Sequence, residues 1–214
     1  MDNNEKLIKL LSENVTPVIP QGSLIIRLTK WIIPSILCGL LGFFTLGFRE
    51  EIFMNMSSAI FIIENIFIVI AGICLASAAF ISATPGYKIG PVIILSTISF
   101  IIWSSIFIFS GTNTQGTDIS SEMHNARGML CTMDVILLAV IPGIITFIML
   151  KRLATTNLGY TGAFAVLAIT SIAVVSSRFM CHNMDPAHLI IWHFLPVLIM
   201  GFIGILLGKK LLKW

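Results

Sequence analysis

The sequence contains few charged residues. Asp, Glu, Lys and Arg make up 11% of its 214 residues, whereas hydrophobic residues make up 57%. A water-soluble domain carries roughly 25% charged residues. This chain therefore lacks the polar side chains that would cover a water-exposed surface, and its composition predicts an integral membrane protein. The net charge of +3 is small and no basic stripe is present, which argues against direct binding to nucleic acid.

The sequence also lacks the motifs of common catalytic and metal sites. Its four cysteines never form a CxxC pair, so it has neither the usual spacing of a structural zinc site nor that of a redox-active dithiol. It contains no Gly-rich phosphate loop and no evident pairing of a nucleophile with a base. These absences argue against an enzyme. The alternatives from other classes are a metal-binding membrane protein or small transporter and, less favoured, a membrane thiol oxidoreductase.

Six long apolar runs account for most of the chain. About 20 apolar residues form a helix that crosses the hydrocarbon layer of a bilayer. Helices are expected because every backbone polar group in lipid must be paired within its own segment. The predicted fold is an all-α bundle of six transmembrane helices within residues 31–208. The predicted spans are Trp31–Phe48, Ser57–Ala83, Pro91–Ser110, Met129–Leu150, Gly159–Met180 and Ala187–Gly208.

The distribution of Lys and Arg predicts the orientation of the bundle. Cytoplasmic loops of membrane proteins carry an excess of these residues. If both termini are cytoplasmic, ten of the thirteen basic residues lie inside, and only Arg49, Arg127 and Arg178 lie outside. We therefore expect a cytoplasmic tail at residues 1–30 and a short basic cytoplasmic segment at residues 209–214.

The tail contains an amphipathic pattern. Four apolar residues share one face of a short helix, at positions i, i+3, i+4 and i+8. These residues are Leu7, Leu10, Leu11 and Val15. Pro17 is expected to end the helix. Two interpretations are open: a helix that lies on the membrane surface, and a helix that docks a cytoplasmic partner.

Two spans contain an acidic residue, Glu64 in the second and Asp134 in the fourth. A carboxylate near the centre of a spanning helix costs about 2.5–3.5 kcal/mol, so such residues usually face the bundle interior and have a partner. At a rise of about 1.5 Å per residue, both acids and His193 lie ~8–10 Å below the outer surface, level with Ser104 and Ser105. This layer is interpreted as a hydrogen-bonded packing network, a proton-coupled or ligand-responsive switch, or a transport pathway.

A second cluster is expected at the outer ends of the fourth and fifth spans. Cys131 begins the fourth span and Cys181 closes the fifth. A short loop joins these spans, so they are expected to be antiparallel neighbours that place both cysteines at one height. Three interpretations are open: a pair that senses oxidants or soft metals, a static disulfide, and two inert thiols.

Several other residues near this cluster are candidates for a metal ligand or a switch. They are His182, Asp185, His188, His193, Asp134 and Glu64. No resident cofactor is expected, apart from a soft metal ion bound transiently at Cys131 and Cys181. The other two cysteines, Cys38 and Cys74, are expected to pack as small apolar residues.

The C-terminal sequence CHNMDPAHLIIWHFLPVLIMGFIGILLGKKLLKW resembles the closing signature of the negative regulator of sigma F family, whose members are bacterial inner-membrane anti-sigma factors. The residues that match are Cys181, Asp185, His188, Trp192, His193, Pro196, Val197, Gly204, Gly208, Lys209, Lys210, Leu211, Leu212, Lys213 and Trp214. The segment from Gly128 to Cys131 and the tail LIKLLSENVTPVIP are also similar to the family. Lysines stand where the family usually has arginines.

The resemblance implies a function and two partners. Such a protein holds an extracytoplasmic-function sigma factor inactive at the inner membrane, and releases it on envelope stress from a heavy metal or an oxidant. The resemblance implies that Cys131 and Cys181 are the sensing residues. It also favours the docking interpretation of the tail helix. The expected partners are the sigma factor and the lipid bilayer, without direct contact to nucleic acid.

Overall fold

The structure, a computed structural model, describes residues 3–13, 22–47, 59–112, 119–183 and 185–213, and all the regular structure in these ranges is helical. The helices are α1 (Asn3–Glu13), α2 (Leu24–Leu46), α3 (Ala59–Ser82), α4 (Gly90–Thr112), α5 (Ile119–Met123), α6 (Ala126–Lys151), α7 (Leu158–Met180) and α8 (Pro186–Leu211). All but α1 and α5 are long and apolar enough to cross a membrane. The helical class and the number of candidate spans therefore match the prediction, and the architecture fits a multi-pass membrane protein.

The first long helix begins earlier than its apolar run predicts. Helix α2 starts at Leu24 instead of Trp31, and the Ser23 hydroxyl caps it by accepting a backbone hydrogen bond. Arg27 lowers the hydropathy of this first turn, which hides the helix start in the sequence. The Arg27 guanidinium is accommodated because its Nη1 donates a 2.7 Å hydrogen bond to the hydroxyl of Thr84, just beyond α3.

Helix α7 lies at the centre of the bundle and packs against α2, α3, α6 and α8. Its contact with α8 is made by small residues. A Cβ atom added to Gly162 would collide with the backbone of Gly204 and Gly208 on α8. The two helix backbones therefore touch directly, as in the close pairs that small residues permit in membranes.

The replacement Gly162→Ala is expected to destabilise the bundle. The new methyl group has no space at the α7–α8 contact, and overpacking of this kind typically costs about 1–3 kcal/mol. The matched control is Gly143→Ala on α6, where an added Cβ meets nothing within 4 Å. Thermal unfolding in detergent should show a lower midpoint for the first variant and an equal or higher midpoint for the second. Equal midpoints for both variants would contradict the tight contact.

The bundle has two ends of different chemistry. The tail end contains the first turn of α2, the last turn of α3 and the first turns of α7, where the hydroxyls of Ser82 and Thr161 are hydrogen-bonded at 2.9 Å. The cysteine end contains the start of α6, the end of α7 and the start of α8, where Cys131 and Cys181 lie. Each of the six long helices connects these two ends.

Candidate functional site

Cys131 and Cys181 lie against each other at the cysteine end. Cys131 occupies the second turn of α6, and Cys181 directly follows the last residue of α7. Their sulfur atoms are 3.5 Å apart, as two free thiols in contact. The structure thus brings together the pair that the antiparallel arrangement predicted, while the role of the pair as a sensor stays a prediction.

His188 faces Cys181 from the first turn of α8. Its Nε2 is 3.4 Å from the Cys181 sulfur, and its Nδ1 is 3.2 Å from a carboxylate oxygen of Glu122. The side chain is 2% exposed. With Glu122 accepting from Nδ1, a protonated His188 donates from Nε2 to the sulfur, whereas a neutral His188 presents the lone pair of Nε2 instead.

Glu122 is the member of this site that the sequence did not reveal. It lies on α5, in a polar loop whose composition indicates only exposure to solvent. Its Oε1 accepts hydrogen bonds from Asn125 at 3.3 Å and Asn183 at 3.4 Å, and its backbone carbonyl accepts one from the Trp192 indole at 3.3 Å. These contacts fix the carboxylate behind His188. The one feature of the sequence that could have indicated Glu122 is that it is an acidic residue in a loop that is otherwise mostly uncharged.

A π-helical turn at Ile190–Phe194 sets the direction of the next histidine. Pro196 has no N–H, so the carbonyl of Trp192 loses the donor that an α-helix would supply. The hydroxyl of Thr132 on α6 replaces that donor at 2.8 Å. Such turns are frequent at functional sites, and this one carries His193 into the bundle beside the cysteines.

His193 is completely buried, and its ring centroid lies 5.6 Å from that of His188. Neither of its ring nitrogens has a hydrogen-bond partner among the described residues. A buried polar group without a partner costs about 1–3 kcal/mol. One donor atom from each of Cys131, Cys181, His188 and His193 lies within 4.8 Å of the other three. We refer to these four residues as the cysteine–histidine cluster.

The electrostatic environment favours the thiolate of Cys181. The pKa of Cys181 is lowered from its usual value, first because the Cys131 thiol donates a hydrogen bond to it, and further because His188, whose Nε2 lies 3.4 Å from the sulfur, stabilises the charged form. Burial opposes this change. A thiolate is the form of cysteine that attacks oxidants and binds metals. Cys181, whose sulfur has both the Cys131 thiol and Nε2 of His188 beside it, is therefore the more reactive candidate of the pair.

Four of the predicted candidates lie outside the cluster, and one of them, Glu64, pairs with a buried arginine. His182 is exposed beside Cys181. Asp185 caps α8, because its carboxylate accepts a 3.2 Å hydrogen bond from the first turn of that helix. Asp134 is half-buried within electrostatic range of Cys181 and His193, although no hydrogen bond joins its carboxylate to another described residue. The structure supports a capping role for Asp185 and brings neither it nor His182 into contact with the sulfurs.

Arg178, which was counted among the basic residues of the outer side, is buried in the bundle. This residue lies in the last turn of α7, is 2% exposed, and donates from Nη2 to Glu64 Oε2 at 2.6 Å. Its guanidinium carbon also lies 5.1 Å from the ring centre of Phe61 and 5.5 Å from that of Phe107. Glu64 therefore has the partner that its burial required, and Arg178 belongs to a helix of the bundle instead of a loop.

The predicted polar layer is not one hydrogen-bonded network in the described part of the chain. Glu64 is paired with Arg178, whereas His193 faces the cysteines. The Ser104 hydroxyl donates to the Phe100 carbonyl of its own helix at 2.7 Å, and Ser105 is exposed. Serine can satisfy its hydroxyl within its own helix, which is why depth alone did not predict a shared layer.

The tail forms a helix, as its pattern predicts, over Asn3–Glu13. Leu7, Leu10 and Leu11 are 57%, 60% and 63% exposed. Val15 and Pro17 lie outside the described residues. Helix α1 therefore presents an apolar face that the bundle does not cover.

Comparison with known proteins identifies the family. The model of the family described as negative regulator of sigma F matches residues 11–214. No curated protein and no solved structure matches the chain. The matched residues include the whole cysteine–histidine cluster and the whole helical bundle. The chain belongs to the negative regulator of sigma F family.

Proposed function

We propose that this protein holds an extracytoplasmic-function sigma factor inactive at the inner membrane and releases it when an oxidant or a thiophilic metal reacts with Cys131 and Cys181. The observation that carries the proposal is the 3.5 Å contact between the two sulfurs, in a chain whose family regulates a sigma factor. The contact lies at the cysteine end of the bundle, whereas α2, which follows the tail, begins at the tail end. A stimulus and a partner could thus act on separate faces.

The orientation follows from the charges that remain in loops and helix ends. With Arg178 inside the bundle, ten of the described basic residues lie on the side of the tail and Arg127 lies on the other side; Arg49, which the sequence count placed outside, is not among the described residues. This ratio favours a cytoplasmic tail more strongly than the sequence count did. The cysteine end then faces the periplasm, which is an oxidising compartment.

The surface proposed to hold the sigma factor is the apolar face of α1. Leu7, Leu10 and Leu11 are exposed on one side of this helix, with Lys6 at the edge of that side and Lys9 on the opposite face. An amphipathic helix that lays such a face into an apolar groove is a common mode of recognition. The length of the helix, Asn3–Glu13, suits docking to a partner better than catalysis.

The path between the two faces is helix α7. Cys181 lies three residues beyond Arg178, and the Arg178–Glu64 pair connects the end of α7 to α3. A change at Cys181 therefore acts on the helix that contacts α2, α3, α6 and α8. In physical terms the bundle has two states, and the stimulus shifts them by binding or modifying one state preferentially.

The double replacement of Cys131 and Cys181 by serine is expected to leave the sigma factor bound but to abolish its release. Serine keeps the size of the side chains and removes the reactive sulfurs. The experiment uses membranes that contain the full-length protein and its sigma factor, treated with a thiol oxidant or with Cd²⁺, and measures the sigma factor that remains in the membrane pellet.

Matched controls come from the other two cysteines. Cys38 is buried within α2 and Cys74 is half-buried within α3, and their replacement by serine should leave release unchanged. Release from the Cys131/Cys181 double variant at the wild-type level would refute the sensing role. Loss of release in the Cys38 and Cys74 variants would reassign it.

A further inference from the structure

The cysteine–histidine cluster has the dimensions of a tetrahedral metal site. Zinc lies about 2.3 Å from thiolate sulfur and about 2.0–2.1 Å from imidazole nitrogen, which gives donor–donor distances of about 3.3–3.8 Å around a tetrahedron. The sulfur atoms of Cys131 and Cys181 are 3.5 Å apart, and Nε2 of His188 is 3.4 Å from the Cys181 sulfur. An ion can therefore be held with only small movements of the side chains.

The His188–Glu122 pair matches the second shell of a metal site. A histidine ligand usually donates its other N–H to a carboxylate, which fixes the ring and makes the ligating nitrogen more basic. Glu122 occupies this position, 3.2 Å from Nδ1 of His188. Asn125 and Asn183 hold the same carboxylate through its other oxygen. The nitrogen that would bind a metal is thus the one that points at Cys181.

His193 supplies the independent observation that points to a ligand. It is fully buried, it faces the cluster, and both of its ring nitrogens are without a hydrogen-bond partner among the described residues. A disulfide between Cys131 and Cys181 would give His193 no partner. A metal ion bound to one ring nitrogen would give it one, which explains why such a polar ring is placed in this position.

The charges also balance around a divalent ion. Both cysteines bind the ion as thiolates and both histidines bind it in the neutral form, so binding releases whatever protons these four groups still carry. The two thiolates then neutralise an ion of charge +2. A site without net charge is the form that a buried position tolerates best. Two sulfur and two nitrogen donors in a tetrahedron select ions such as Zn²⁺ or Cd²⁺ over the hard cations Mg²⁺ and Ca²⁺.

We infer that Cys131, Cys181, His188 and His193 together bind one thiophilic divalent ion, with Glu122 as the carboxylate that orients His188. The regulatory role of this site rests on the proposed function, and the ion named here is its ligand. Binding of the ion can be tested without a sigma factor. Four protein ligands fill a tetrahedron, so the site is of the closed type that leaves no position for a substrate. The ion joins the start of α6, the end of α7 and the start of α8.

The test is a titration of the purified full-length protein in detergent with Cd²⁺ and with Co²⁺. The thiolate-to-metal charge-transfer absorption reports sulfur ligation, and elemental mass spectrometry reports the number of ions per chain. The wild-type protein should bind one ion. The variants Cys131→Ser and Cys181→Ser should each weaken the charge-transfer band strongly and their double variant should lose it, whereas Cys38→Ser and Cys74→Ser should keep it.

Variants of the histidines test whether the ion has four protein ligands or only the two cysteines. His193→Gln should weaken binding by more than about tenfold, and Glu122→Gln by roughly 10–100-fold, as the loss of an outer-shell partner does. His182→Gln is the matched control, because this histidine neighbours Cys181 but is exposed, and it should bind as the wild type does. If His193→Gln binds the ion with wild-type affinity, the four-ligand site is overturned. It is also overturned if His182→Gln binds the ion more weakly than the wild type does. If His193→Gln does not fold, Glu122→Gln and His188→Gln still decide whether histidine binds the ion, and wild-type affinity in both variants would overturn the proposed site.

Retention of a sigma factor by the same preparations separates the two proposals. A wild-type protein that retains the sigma factor but binds no ion overturns the metal site and leaves the proposed function standing. A protein that retains no sigma factor before any ion is added, but then binds one ion through the four residues, supports the metal site and overturns the proposed function.

Discussion

Membranes that contain the triple variant Leu7→Ser, Leu10→Ser and Leu11→Ser are expected to retain no sigma factor above background. Burial of one leucine side chain contributes about 1.5–3 kcal/mol. Three leucines docked into an apolar groove would contribute roughly 4–9 kcal/mol, and every ~1.4 kcal/mol changes the affinity tenfold. A loss of at least about a thousandfold in affinity therefore follows if α1 binds through this face.

The measurement is quantitative mass spectrometry of the sigma factor that sediments with the membranes. Lys9→Ala is the matched control, because Lys9 lies on the opposite face of the same helix and its replacement favours the helix. It should retain the sigma factor. Undiminished retention by the leucine variant would contradict the docking role and leave α1 as a helix bound to the membrane surface, which flotation of the tail with lipid vesicles would then detect.

Glu64→Leu is expected to destabilise the bundle strongly. The replacement leaves the Arg178 guanidinium, which is 2% exposed, without the carboxylate 2.6 Å away. Removing one partner of a buried ion pair costs about 3–5 kcal/mol. For a chain of this size the unfolding midpoint falls by roughly 2–4 °C per kcal/mol, so a decrease of ~6–20 °C is expected.

The double variant Glu64→Leu with Arg178→Met tests the cause. Replacing both charges with apolar residues of similar volume is often neutral or stabilising, so the second replacement should restore much of the lost stability. Thermal unfolding in detergent of the wild type, both single variants and the double variant gives the coupling energy between the two sites. Additive losses in the double variant would show that the pair does not stabilise the bundle, whatever its distance.

The sequence predicted the number of long helices and the approach of Cys131 to Cys181, because both depend on local properties. Hydropathy is summed over neighbouring residues, and a short loop makes consecutive helices antiparallel neighbours. The pairing of Glu64 with Arg178 joins residues 114 positions apart. No local pattern marks such a partner. Arg178 also lies near the end of its apolar run, where a basic residue usually indicates a loop.

Glu122 and Thr132 were missed for a different reason. Each has a residue type that suits solvent, and each acts through a helix that is distant in sequence. The Thr132 hydroxyl is needed only because Pro196 leaves the Trp192 carbonyl without a donor. Ser104 shows the reverse case, since its predicted partners in the bundle are replaced by its own backbone. Depth in the membrane therefore locates a polar residue but does not identify its partner.

The backbone contact of Gly162 with Gly204 and Gly208 has a mechanical consequence. It joins α7 to α8 at the tail end, whereas Cys181 lies at the far end of α7, about 19 residues or ~28 Å away along the helix axis. A tightly packed contact of this kind resists sliding. A displacement at Cys181 would therefore rotate α7 about its contact with the glycines of α8. The large movement then occurs beside the sulfurs, and a smaller opposite one occurs beside the tail.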